Sequence, residues 1–462
     1  MSAHDAMRAP SMMQLAEAAR AVAGTLEGAD VPFAGVTTDS RSIGAGDLFV
    51  ALAGERFDGH GFVAEAVRRG AAAALTARRV EIDVPLAQVV VADTRLGLGR
   101  LAAYWRARFA IPLVALTGSN GKTTVKEMLA AILAVHEPAE DAVLATAGNL
   151  NNDIGMPLTL LRLRERHRYA VIEMGMNHAG EIDYLTRLAR PTVALVNNAQ
   201  RAHVGILGSL GAIAYAKGEI YAGLAPGGVA VVNADDDYAG YWKGLNASHR
   251  IVTFGFAAEA DVRAVRAVDA WRFTTPGGAF DVKLRVAGEH NVRNALAACA
   301  AAHALGVAPE AMQRALATFA GVPGRLQRRR GPGGGVVIDD TYNANPESMK
   351  AAIDVLAAET GRRVLVMGDM GELGTLSAQL HAEVGEYARR AGVDVLLATG
   401  EASRHAVDAF GAGARHYDGA KELAAAAAAE ARVGNTLLVK GSRFMQMERV
   451  AEALLRGDRD AL

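Results

Sequence analysis

Three observations predict an α/β chain built as three domains. The length, 462 residues, divides at roughly 150 residues per domain into about three units. Short apolar runs alternate with longer helical stretches, the rhythm of parallel strands joined by helical crossovers. That rhythm breaks before Pro112 and again in the glycine-rich segment 321–335, which carries Pro323 and Pro332. The expected units are therefore residues 1–110, 111–327 and 328–462.

Composition limits what such a chain can do. With 51% hydrophobic and 21% charged residues it is globular and not disordered. Its 49 basic and 50 acidic residues give a net charge of -1, which argues against a general nucleic-acid binder. The single cysteine, Cys299, excludes a disulfide framework and a cysteine-based zinc site, and suits a reducing compartment. No apolar run reaches the ~18 residues of a membrane span. Residues 1–13 hold Asp5 and Arg8 without an apolar centre, unlike a secretion signal. A cytoplasmic, multidomain protein acting on small molecules is expected.

In the first unit, residues 14–23 read as a helix, Thr37-Thr38-Asp39-Ser40-Arg41 as a turn and 48–52 as a short strand. The second opens with the buried-strand run 113–116 and a glycine turn, Gly118-Ser119-Asn120-Gly121. A helix over 122–135 follows, with Val125, Met128, Leu129 and Ile132 on one face. Residues 170–172, 193–196 and 229–232 are further buried strands. In 261–286, Trp271, Phe273, Phe280, Val282, Leu284 and Val286 fall largely on alternate positions around Pro276-Gly277-Gly278, which predicts an antiparallel hairpin attached to the parallel sheet. The run Arg328-Arg329-Arg330 reads as a solvated linker. In the third unit 336–338, 364–367, 393–398 and 436–439 read as strands, with an Ala-rich helix over 421–431. No repeat of fixed period is present.

Thr117-Gly118-Ser119-Asn120-Gly121-Lys122-Thr123-Thr124 is the most informative segment. Glycines let backbone N–H groups converge on phosphate oxygens, and the following helix N-terminus adds a favourable dipole. Lys122 supplies positive charge, and the Thr123 hydroxyl can bind Mg²⁺. The loop has two residues between its glycines where the usual P-loop has four; a plain glycine turn is the competing reading. Hard Mg²⁺ takes oxygen ligands, which in such sheets come from carboxyl ends of neighbouring strands. Glu173 sits at one such end, as a metal ligand or a capping acid. His203 follows the strand 193–196, and Lys217 lies in the helical stretch 214–220; each has a bland alternative, a satisfied polar residue or a surface lysine. Asn149-Leu150-Asn151-Asn152 suits ligand contacts or a simple turn. Asn294, in Gly288-Glu289-His290-Asn291-Val292-Arg293-Asn294-Ala295, could read a base or cap a helix. Three polar loops follow strands of the third unit: 339–346, with Asp340, then 367–374 and 440–443. A cleft along that sheet edge is expected.

At these residues the sequence resembles the Mur ligases of bacterial cell-wall synthesis, over nearly the whole chain from about Ser11 to Arg449. The short phosphate loop is similar to the family's own. Gly148-Asn149-Leu150-Asn151-Asn152, Glu173-Met174-Gly175, Ala216-Lys217-Gly218-Glu219-Ile220, Asp340-Thr341-Tyr342-Asn343-Ala344-Asn345-Pro346, Met367-Gly368-Asp369-Met370-Gly371-Glu372-Leu373-Gly374 and Lys440-Gly441-Ser442-Arg443 resemble the D-alanyl-D-alanine-adding branch. The Asp-Asn-Pro-Arg signature of the diaminopimelate-adding branch is not seen.

The resemblance implies a small N-terminal α/β domain that binds the UDP-sugar, a central P-loop ATPase sheet, and a Rossmann-like C-terminal domain that orients the dipeptide. It implies ATP-dependent joining of D-alanyl-D-alanine to UDP-N-acetylmuramoyl-tripeptide through an acyl phosphate, with ATP and Mg²⁺ as cofactors. No nucleic acid and no membrane insertion are implied, and a monomer is expected. By resemblance Thr123, Glu173, His203 and Lys217 would serve the metal, Lys217 after carbamylation by CO₂. Lys122, Lys217, His203 and Arg325 would be catalytic. Gly118 to Thr124, with Asn294 near adenine and Asp340 near ribose, would hold ATP. Ser40 and Arg41, with Gly54 and Asp58-Gly59-His60, would meet the uridine diphosphate, and Asn151 and Asn152 the substrate. One position departs: related sequences often carry an acid two positions after the histidine, where this chain has Gly205. The competing expectations are a plain P-loop ATPase or kinase, a folylpolyglutamate-like or other Mur-type ligase, and a non-catalytic nucleotide-binding scaffold.

Overall fold

The computed structural model describes residues 11–54 and 57–456. The leader reading of residues 1–13 falls mostly outside them. Three sheets follow one another along the chain. The first is five-stranded, in the order Thr25–Glu27, Ala87–Val90, Ala73–Thr76, Leu48–Val50, Val36–Thr37. It is parallel except where Thr25–Glu27 pairs antiparallel at one edge. The predicted helix forms as Leu15–Val22, but most strands of this sheet are only two to four residues long and left no legible alternation.

The central sheet has nine strands: Val143–Ala145, Tyr169–Glu173, Leu113–Thr117, Val193–Val196, Val229–Asn233, Arg250–Gly255, Val262–Arg266, Trp271–Thr275 and Gly278–Val282. The first seven run parallel and the last two pairings are antiparallel. The expected hairpin is thus the outer part of a three-stranded meander. Phe273 and Phe280 stack on its inner face at 5.3 Å, while Leu284 and Val286 lie beyond its last strand. Leu113–Thr117 sits between the strands Tyr169–Glu173 and Val193–Val196, which the chain reaches in opposite directions. That reversal opens a crevice at the carboxyl ends of these strands.

Behind the sheet, helix Lys122–His136 buries Val125, Met128, Leu129, Ile132 and Leu133 completely. It packs beside Glu289–Ala304, in which every residue from Asn291 to Ala302 except Arg293 is buried. Alanines on that helix let two helices and a sheet approach closely at interior packing density. Each large apolar side chain buried there contributes ~1.5–3 kcal/mol relative to exposure.

The third sheet has six strands: Gln327–Arg330, Val336–Asp340, Asn435–Lys440, Arg362–Met367, Val395–Thr399 and Ala414–Tyr417. All pairings are parallel except the first. The arginine run corrects an expectation. It is solvent-exposed, as a linker would be, but forms an edge strand paired with Val336–Asp340. Alternating long side chains on a free edge suit a strand whose outer side meets water. Among the described residues no helix is long and apolar enough to cross a membrane.

Candidate active site

The phosphate loop begins where the fully buried strand Leu113–Thr117 ends. Gly121 adopts φ +78°, and a Cβ there would stand 2.2 Å from Asn294 Oδ1, so only glycine fits the turn. The loop rests on the segment after Val193–Val196. Ser119 N donates to Asn198 O (3.0 Å), Asn120 N to Asn198 Oδ1 (2.9 Å) and Ser119 Oγ to Gln200 O (2.9 Å). Lys122 curls back and donates from Nζ to Gly118 O at 2.7 Å. Burial pushes its pKa down, and Glu173 opposes that shift. An ammonium on the loop's own carbonyl is poised to exchange that bond for phosphate oxygens.

Two cavities flank this loop. The smaller, about 340 Å³, is lined by Gly121, Thr124, Asn197, Asn294 and Arg293 from the central unit and by Asp340 and Lys440 from the third. Asn294 Oδ1 accepts from Asn197 Nδ2 (3.0 Å), and its own Nδ2 donates to Asn291 Oδ1 (3.2 Å). Asp340 and Lys440 lie opposite each other in register, and Lys440 Nζ is 2.7 Å from Asp340 Oδ2. Burial lowers the lysine and the aspartate opposes it. Asp340 Oδ1 also accepts from Leu326 N at 3.1 Å, fixing the segment that carries Arg325.

The larger cavity, about 670 Å³, brings together Lys122, Thr123, Glu173, Lys217, His203 and Arg325, with Asn151 and Asn152 on its wall. Arg95 of the first unit reaches it through a bond from Nη2 to Asp153 Oδ1 (2.7 Å), so all three units bound it. Glu173 ends the strand Tyr169–Glu173. Its N–H donates to Thr146 Oγ1 (3.0 Å), Oε1 accepts from Asn151 Nδ2 (2.7 Å), and Oε2 is buried without a partner. Asn152 is instead spent locally: its Oδ1 accepts from Gly155 N at 2.8 Å, the turn reading of that loop.

Lys217, on the helix Leu210–Gly218, is buried, which overturns the surface-lysine alternative. Desolvation, then the Lys122 ammonium, push it well below the ordinary lysine range. His203 has φ +64°, and its Nδ1 approaches Glu372 Oε2 to 2.6 Å without the alignment of a hydrogen bond. Among the described residues no three His, Cys, Asp or Glu side chains converge as a ready-made metal cage. The unpartnered Glu173 Oε2, in the cavity that Thr123 also lines, nevertheless suits a hard cation that keeps phosphate and water among its ligands.

Arg325 lies over the Tyr342 ring at 4.0 Å and reaches Thr123 Oγ1 from Nη2 at 3.4 Å, which places it at the phosphate end of both cavities. Ser40 and Arg41 are not brought to either cavity. They form an exposed turn in which Arg41 donates from N, Nε and Nη2 to Asp39. Those bonds lower the Asp39 carboxyl to about 2. His60 is held between Asp58, on Nδ1, and Ala77 N, which donates to Nε2 at 2.8 Å.

Sequence reasoning missed the clasp between the central and third units. Asn120 and Asn345 exchange amide bonds, Nδ2 of Asn345 to Asn120 Oδ1 at 2.7 Å and the reverse at 3.2 Å. Asn345 also caps the helix Pro346–Ala357. Arg201 binds Glu383 through both terminal nitrogens (3.0 and 2.9 Å) and contacts Glu347 as well. The only signal was that Asn120, Arg201 and Asn345 sit in loops at strand carboxyl ends; Glu347 and Glu383 lie in helices.

A phosphate loop facing a second Rossmann-like sheet across a shared cleft defines a multidomain ligase that couples a nucleoside triphosphate to bond formation. Three family profiles agree with that architecture: a Mur ligase family catalytic domain over residues 32–105, a Mur ligase middle domain over 116–302, and a Mur ligase glutamate ligase domain over 324–443. The chain belongs to the Mur ligase family. It is 46% identical over 439 residues to the UDP-N-acetylmuramoyl-tripeptide–D-alanyl-D-alanine ligase of Escherichia coli strain K12, covering 93% of this chain and 96% of that one. The ligase of the same name from Bacillus subtilis strain 168 is 37% identical over 91% and 93% of the two chains. A crystal structure of MurF from Acinetobacter baumannii superposes with a TM-score of 0.89 at 40% identity, over 95% of this chain and 98% of that one. MurF ligase from Thermotoga maritima in complex with ADP gives 0.80 at 28%, over 91% and 96%.

Proposed function

We propose that this chain is the ATP-dependent amide ligase that joins D-alanyl-D-alanine to UDP-N-acetylmuramoyl-tripeptide, giving the pentapeptide. The observation that carries the reading is the phosphate loop 117–124 set between a nucleoside-sized cavity and a larger polar one, in a chain alike almost end to end to ligases of that name.

A carboxylate cannot acylate an amine directly, because its leaving group would be oxide. The terminal carboxylate oxygen of the tripeptide therefore attacks the γ-phosphorus of ATP, and the electron pair of the broken P–O bond leaves with ADP. The dipeptide amine then attacks the acyl carbon, loses a proton and expels phosphate. Such chemistry needs positioning and charge neutralisation more than covalent help. Lys122 and Arg325 neutralise charge at the phosphates, the backbone of Gly118 to Thr124 cradles them, and Asn294 and Asp340 hold adenine and ribose. Asn151 orients Glu173. Thr123, Glu173, His203 and a carbamylated Lys217 would hold Mg²⁺, which when bound offsets the negative charge of the phosphates.

Lys217 suits carbamylation because its depressed pKa favours the free amine that adds to CO₂, releasing a proton and leaving an anionic oxygen pair. Ser40 and Arg41 serve the uridine diphosphate, at a distance from the chemistry that a long nucleotide-sugar substrate spans. We place the first unit boundary after residue 110 and the second at residue 327, where the edge strand Gln327–Arg330 of the third sheet begins, and the enzyme in the cytoplasm as a monomer.

The test is phosphate release from ATP with UDP-muramoyl tripeptide, with and without D-alanyl-D-alanine, and mass detection of the product. Dipeptide-dependent release with a pentapeptide mass is expected. Release without either substrate and no new amide would keep the nucleotide site and remove the acceptor assignment.

A further inference from the structure

Glu372 stands out among the residues that the reaction leaves without a role. It sits in the loop after the strand Arg362–Met367, in the third unit, yet its carboxylate lines the large cavity beside residues of the central one. Its backbone is left-handed, φ +61°, unusual for a residue with a side chain. His203, which faces it, is left-handed as well, φ +64°. Paired strain of this kind persists only where surrounding structure imposes it.

The imposing contacts are local. Gly205 N donates to Glu372 O at 2.9 Å. A Cβ on Gly205 would stand 2.3 Å from Gly374 N and 2.7 Å from Glu372 O, so the two loops meet backbone to backbone. This seat brings Glu372 Oε2 within 2.6 Å of His203 Nδ1. That nitrogen is buried and makes no other hydrogen bond, so the carboxylate is the acceptor within its reach. A glutamate carboxylate is ordinarily an anion at neutral pH, so a hydrogen-bond acceptor faces the ring.

We propose that Glu372 is a positioning residue for His203. Its carboxylate accepts the Nδ1 proton of the imidazole across the seam between the central and third units, so that Nε2 carries the free lone pair into the cavity. A histidine whose second nitrogen is tied to a carboxylate has one tautomer and one ring orientation, and loss of such a partner characteristically costs ~10–100-fold in site function. Because the carboxylate arrives on another domain, His203 is ordered for the reaction only while the third unit is seated on residues 203–207. The inference rests on the ligase reading for its kinetic consequence, but not for its geometry.

Imidazole ¹⁵N NMR of the full ligand-free chain, with the His203 signals assigned from His203→Ala, tests the geometry. Wild type should show a single Nδ1–H tautomer, and Glu372→Ala and Glu372→Asp should show averaged nitrogens. Aspartate keeps the charge but is one methylene too short. An unchanged His203 spectrum in Glu372→Asp would overturn the proposal, even if the alanine variant failed to fold. In turnover, Glu372→Asp should lose ~10–100-fold in kcat with KM for D-alanyl-D-alanine nearly unchanged. Glu372→Gln, which keeps length and an acceptor oxygen, should recover part of that loss. Equal damage in the glutamine and aspartate variants would also overturn it. Absence of pentapeptide from wild type would instead remove the ligase reading and leave the NMR result standing.

Discussion

Lys122 donates to the carbonyl of Gly118, its own loop, and is desolvated there. Removing it should therefore take one of the two cations, the other being Arg325, from the phosphate site without opening the core. Lys122→Ala is expected to lower ligase turnover by ~10²–10³-fold, with a thermal unfolding midpoint close to wild type. Retained turnover would sink the phosphate assignment. Lys217 offers a second test at this scale. A buried amine beside another ammonium gains by becoming an anion near a cation site. ¹³C NMR with labelled bicarbonate should show a carbamate carbon in wild type that is missing in Lys217→Ala. Most of these residues were legible in the sequence because their chemistry is compressed into contiguous motifs. Glu372 reads in the sequence only as one letter of a glycine-bearing loop, since its partner is 169 positions away and spacing says nothing of it. The Asn152 side chain shows how one residue can satisfy both readings of a polar loop: its Oδ1 caps its own turn while the residue lines the large cavity.

At the scale of elements, buried parallel strands such as Leu113–Thr117 and Val193–Val196 were readable as apolar runs, and the helix Lys122–His136 as a one-sided stripe. Short edge strands were not. Ala414–Tyr417 carries two polar residues in four and pairs on one side only, so neither hydrophobicity nor alternation marks it. The arginines of Gln327–Arg330 hid an edge strand for the same reason. Elements that join the central and third units are polar as well, and acid should loosen them. Arg201, then Lys350, hold Glu383 down from its ordinary 4.5 to about 2, against burial. A carboxyl lowered on folding contributes stability that is complete above its unfolded pKa and vanishes as pH falls through the folded one. The seam should thus weaken progressively between pH 4.5 and about 2. Acid titration followed by thermal unfolding should show wild type losing more over that range than Arg201→Ala. Equal slopes would mean that the clasp contributes nothing.

Across the whole molecule, the phosphate loop belongs to one unit while Asn345, Glu372 and Lys440 reach the cavities from another. A ligand spanning both must favour arrangements in which they meet, since binding shifts an equilibrium by its differential affinity for the two states. The third unit is therefore expected to swing as it closes over ATP and dipeptide. Small-angle scattering with and without an ATP analogue and both substrates should give distinct curves. Superimposable curves would rule out the closure.

Cys299 lies at the centre of the alanine-packed helix Glu289–Ala304, with no exposed surface, and burial pushes its thiol far above the ordinary range. Nature has thus left a single chemical reporter at the middle of the ATP-binding core. A thiol reagent in solution meets it only when the core around that helix opens. Labelling rate then becomes a clock for opening of the central unit alone, blind to motions of the other two. Saturating nucleotide should slow the clock, and a third unit that merely swings should leave it unchanged.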